Sequence, residues 1–151
     1  MIRDPAQARD SMVTQFESAL ATIDWASFGF TEKPKVYYEG VGGSDSVDMG
    51  KPYFRWAAHH DAQPQATLAD ESGSRVFASQ GMVVIQCACP LLDGLGFTGA
   101  ERMAIIARNA YRGKQTPDCI WFTEAKIQEV GQDSGFYLFN TSAVFHYDEV
   151  A

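Results

Sequence analysis

Between Gly81 and Pro90 the chain carries an almost unbroken apolar run, Met82-Val83-Val84-Ile85-Gln86-Cys87-Ala88-Cys89, closed by a proline. Side chains on a strand alternate between two faces, so Val83, Ile85, Cys87 and Cys89 form one apolar face. Met82, Val84 and Ala88 leave the other face only partly polar, which predicts a strand covered on both sides. Pro90 has no amide hydrogen to give a ladder and ends the strand, which is read from about Val76 to Cys89. Such a strand needs partner strands beside it and helix packed over it.

The flanking sequence supplies both. Asp4 can cap a first helix, with Pro5 at its first position and Gln7 completing a capping-box pattern. Val13, Phe16, Leu20 and Ile23 recur at helical spacing, and this helix is read to stop around Ile23 to Trp25. Lys35-Val36-Tyr37-Tyr38 reads as a strand, Gly40 to Gly50 as a loop, and Pro52 to His59 as a strand with Phe54, Trp56 and Ala58 on one side. The polar stretch from His60 to Ser74 is a loop or extended arm. Asp93-Gly94-Leu95-Gly96 is a turn into a second helix, with a capping box from Thr98 to Glu101. Met103, Ile106, Ala107 and Ala110 make its buried stripe, and Gly113 stops it. Two strands follow, Ile120 to Val130 and Phe136 to Tyr147, around a turn spanning Gly131 to Gly135; Tyr137, Phe139, Ala143, Phe145 and Tyr147 share a face. The sum is a single α+β domain over residues 1–151, with two helices and a largely antiparallel sheet.

Composition removes several functions. A formal charge of −7 without a basic run makes a poor partner for phosphates, so no specific nucleic-acid binding is expected. No apolar run approaches a membrane span, and the N-terminus lacks a signal-peptide core, so a cytoplasmic product is expected. Cys87, Cys89 and Cys119 are an odd set, read as reduced thiols, the first two as buried packing residues. Cys119 lies in an acidic and apolar neighbourhood that disfavours a thiolate, and it too is read as structural. His59 and His60 would point to opposite faces of a strand and so make a poor metal grip; His146 is the other histidine. Asp93-Gly94-Leu95-Gly96 lacks the residues of a P-loop or dinucleotide fingerprint. Glu124, Glu129 and Asp133 read as solvated acids of an outer strand. No catalytic, cofactor-binding or metal-binding residues are nominated, and the chain is not read as an enzyme.

The second half has a more specific pattern. Arg75-Val76-Phe77-Ala78-Ser79-Gln80-Gly81 leads into the strand ending at Pro90, followed by a glycine-containing turn and the helix from Thr98 to Arg112. Ile127-Gln128-Glu129-Val130-Gly131-Gln132-Asp133-Ser134-Gly135-Phe136-Tyr137 and Val144-Phe145-His146-Tyr147 close it. Over roughly residues 75–148 this resembles the phage tail terminator-like family, similar in fold to the lambda-type terminator. Gln80 stands where that family commonly has an arginine, and Cys87-Ala88-Cys89-Pro90 replaces an aromatic-containing end. The resemblance implies a virion protein, made in the host cytoplasm, that forms a ring, generally a hexamer, at the head-proximal end of the tail. Its partners would be copies of itself, the tail tube protein and a head completion or connector protein. Arg55, Asp70, Glu71, Arg75, Phe77 and Gln80 are then candidates for subunit or tube contacts, and the stretch from His60 to Phe77 an element that orders on assembly. A head-tail connector or neck protein, or a small intracellular enzyme using Cys87 or Cys119, are the alternatives.

Overall fold

In the computed structural model, residues 2–39, 50–61, 76–91 and 95–150 are described. Helix α1 spans Pro5–Ala21, and its start follows from local chemistry. The Asp4 carboxylate accepts from the Gln7 amide at 2.8 Å, and the Gln7 side chain accepts from the Arg3 amide at 2.9 Å. Its inward stripe is Ala8, Met12, Phe16 and Leu20. Val13 and Ile23, expected in that stripe, only flank the core. A short 3-10 turn, Trp25–Phe28, follows and ends at Gly29, whose φ of +90° favours a residue without a Cβ.

Among the described residues five strands form one sheet: β1 (Lys35–Tyr38), β2 (Tyr53–His60), β3 (Val76–Pro90), β4 (Trp121–Asp133) and β5 (Phe136–Val150). Their order is β1-β2-β3-β5-β4, with β1 and β2 parallel and every other pair antiparallel. The apolar run thus occupies the central strand, paired along its whole length to β5. Phe54, Trp56 and Ala58 of β2 lie in register with Cys87, Ile85 and Val83, and all six are buried.

Helix α2 (Gly96–Tyr111) packs with α1 over this face. All four stripe residues expected from the sequence are buried, and Gly113 follows the helix end at φ +67°. The Thr98–Glu101 capping box does not form: the helix begins at Gly96, and Leu95 at the N-cap makes no side-chain cap. Tertiary packing overrides the local signal here. Gly99 lies so close to β3 that a Cβ on it would stand 2.6 Å from Cys89 Sγ.

Aromatic rings fill the junction of helices and sheet. Phe16 meets Phe54 edge-on at 5.5 Å and stacks with Tyr111 at 6.2 Å. Buried polar atoms are paired: Trp56 Nε1 donates to Tyr111 Oη at 2.9 Å, which donates to the Met12 carbonyl at 2.8 Å. Thr141 Oγ1 donates to the Ala104 carbonyl at 3.0 Å.

The expected five-residue turn is shorter. Ser134 and Gly135, at φ +52° and +85°, form a two-residue turn between the paired Asp133 and Phe136. Two positive φ values match the right-handed twist of a hairpin. Gly131, at φ +112°, lies inside β4 beside a register shift, and a second irregularity falls between Thr123 and Lys126, where Glu124 has φ +52°. The expected loops at 40–50 and 60–74 fall largely outside the described residues, but His60 belongs to β2 and Phe77 to β3.

Candidate assembly surface

The sheet has two unlike faces. The helices cover the side of Val83 and Ile85, whereas no described element covers the side of Met82, Val84 and Gln86. This corrects the expectation of a strand covered on both sides. Met82 is 36% exposed. Ala88 is buried at one end only because its neighbours on the same face, Tyr53, Phe136 and Leu138, close over it.

Strand parity and register place the remaining residues of this open face. Beside β3 stand Arg55, Ala57 and His59 of β2, and Asn140, Ser142, Val144 and His146 of β5. Tyr37 and Lys35 extend it on β1, and Trp121, Thr123, Lys126 and Gln128 on β4. Ala57, Met82, Val84 and Val144 form a small apolar patch at its middle, flanked on the same levels by His59, Thr123, Ser142 and Lys126.

Two of the six candidate interface residues share this face, at opposite ends. Arg55 is in register with Gln86, and Gln80 with His146. Six residues of strand separate the two levels, about 20 Å. Phe77 has the parity of Val83 and therefore lies on the helix side, half-buried, which removes it from this surface. Asp70, Glu71 and Arg75 lie outside the described residues.

At the Gln80 end a cleft of about 230 Å³ opens between Asp61, Gln80, Trp121, His146 and Asp148. Trp121 and His146 stack within 16° of parallel at 5.7 Å, and Trp121 remains 41% exposed. His146 Nε2 lies 2.9 Å from Thr123 Oγ1. Neither Asp61 nor Asp148 makes an ion pair among the described residues. Sequence reading missed Trp121, Asp61 and Asp148. The parity of β4 and β5 was available, but the register that brings Trp121 onto His146 was not.

The other candidate groups are dispersed. His59 faces Glu39 at 3.7 Å, while His60, on the opposite face, lies 2.8 Å from Tyr147 Oη. Burial, with Arg9 nearby, holds the His60 pKa below the usual histidine range. Among the described residues no three His, Cys, Asp or Glu side chains are grouped to hold a metal. Cys87 is buried and its thiol pKa is pushed up by desolvation. Cys119, expected as a structural cysteine, is exposed at φ +73°. Its turn is fixed instead by Asp118, which accepts from the Ser11 hydroxyl and, at 2.5 Å, from that of Thr116. Glu124, Glu129 and Asp133 are exposed on the edge strand, with Glu129 accepting from Tyr137 Oη.

No family model matches the chain, and no curated protein does. One solved structure, known by a sequence label alone, is similar over 91% of this chain and 94% of its own, at 17% identity and a TM-score of 0.59. Another, a virion of native gene transfer agent particle, is similar over 88% of this chain and 91% of its own, at 16% identity and a TM-score of 0.48. At this identity the first likeness concerns the fold: two helices on one side of a five-stranded, mostly antiparallel sheet.

Proposed function

We propose that this chain is a virion structural protein of the tail terminator type, which caps the tail tube as a ring, ends elongation and offers a surface to the head. The observation that carries the reading is that the described elements of the family-like stretch pack against one another. Its strand ends at Pro90 as part of β3, its helix is α2, and the glycine-bounded turn joins β4 to β5. A ring needs two different patches on each subunit, one for each neighbour. The sheet offers two unlike edges, the 13-residue antiparallel β4 and the four-residue parallel β1. A net charge of −7 would also keep DNA from adhering as it passes. The role calls for no cofactor, metal or catalytic group; the partners are other copies, the tube protein and a head completion protein.

Deletion of the gene tests this. Overlong tails in electron micrographs are the expected result. Tails of normal length that fail to join heads would point to the connector reading, and normal virions would dismiss both.

A further inference from the structure

The open sheet face has an acceptor at one end and a donor at the other, both on the same molecule. The acceptor is the cleft, which Gln80, His146 and Trp121 line together with the Asp61 and Asp148 side chains. Two carboxylates suit a guanidinium, which bonds such groups with its planar fork. The donor is Arg55, exposed on β2, with its guanidinium 6.0 Å from the Tyr53 ring and no ion pair among the described residues. Arg55 cannot reach the cleft of its own chain across about 20 Å of strand. A second copy can bring its own.

We infer that two copies of this chain pack open face to open face about a twofold axis, with Arg55 of each copy entering the Asp61–Asp148 cleft of the other. The geometry is self-consistent. On β3 the Arg55 level is Gln86 and the cleft level is Gln80, so the midpoint lies at Met82 to Val84. An axis through that midpoint exchanges the two ends and forms both contacts at once, the isologous arrangement. It also places Met82, Val84, Ala57 and Val144, the small apolar patch at the middle of the face, against their symmetry mates. An apolar centre with a charged rim is the ordinary anatomy of an interface. Four strands about 4.8 Å apart and eight residues long, with the shorter β1 beside them, present on the order of 600 Å² per copy. This falls somewhat below the roughly 800 Å² per partner of a standard stable complex, so the pair should dissociate on dilution. The inference does not rest on the tail reading, because it concerns purified protein without tails. The pair closes on itself, so any ring must use other surfaces.

Sedimentation velocity over a wide concentration series tests it. The unmodified chain is expected to pass from monomer to dimer as concentration rises. Arg55→Glu, and separately Asp61→Lys with Asp148→Lys, should each weaken the dimer by about tenfold or more, as loss of an interfacial charge pair does. All three positions are at the surface, and circular dichroism checks that the variants fold. Combining the three substitutions should restore pairing, since the charges are then exchanged. A chain that stays monomeric throughout overturns the proposal. So does a dimer or larger assembly indifferent to these substitutions, or a charge exchange that fails to restore pairing.

Discussion

The Tyr111 hydroxyl stands where α1, α2 and β2 meet, and it is used twice, accepting from Trp56 Nε1 and donating to the Met12 carbonyl. Burial drives its pKa upward, so it stays protonated and able to donate. Tyr111→Phe keeps the ring between Phe16 and Phe122 but leaves the buried indole N–H without its acceptor. An unsatisfied buried donor costs about 1–3 kcal/mol, and urea denaturation should show a loss of that size. A change within about 0.5 kcal/mol, typical of neutral surface positions, would mean that water or a shifted neighbour replaces the hydroxyl. This relay was not legible in the sequence. Tyr111 falls at the end of a helical stripe, but its partners are distant in sequence and nothing local names them.

At the scale of elements, the contact between α2 and β3 reverses a common rule. Gly→Ala inside a helix normally stabilises by about 0.5–1 kcal/mol, because alanine has less freedom to lose. At Gly99 the new methyl would stand 2.6 Å from Cys89 Sγ and 2.9 Å from Leu95 Cβ. Gly99→Ala should therefore destabilise, by about 1–3 kcal/mol for overpacking of this kind. Cys89→Ala alone should cost a little through the lost sulfur, and the double variant should recover part of the Gly99→Ala loss. Simple additivity in the double-mutant cycle would show that the two residues do not press on each other. Strand positions and faces were well read, since the parity of Phe54, Trp56 and Ala58, or of Phe139 to Tyr147, is a local signal. The start of α2 was misread because Thr98 and Glu101 signal a cap locally, whereas contact with Cys89 is a long-range constraint. The turn was misread because Gly131 looks like turn chemistry but serves a bulge. The candidate surface was legible in part: Arg55 and Gln80 do share a face, but their separation depends on the β2–β3 register.

At the scale of the whole molecule, spatial order departs from chain order, because β5 enters between β3 and β4. Every β3–β5 pair, from Pro90↔Phe136 to Val76↔Val150, encloses α2 and β4. During synthesis the most apolar strand is therefore complete well before its longest partner exists. At about 5–20 residues per second the wait lasts a few seconds. Throughout it β3 can pair with β2 on one side, while its other edge is free to capture a strand from another nascent chain. A chain truncated after Asp133 freezes that intermediate. It should aggregate on expression and recover solubility when the missing strand is supplied in trans as a peptide covering Phe136 to Val150. A truncated chain that remained soluble and monomeric by light scattering would show that α2 alone shields β3. Polysome crowding, then, is a hazard written into the strand order of this fold, and the yield of folded chain should fall when translation is slowed between Pro90 and Phe136.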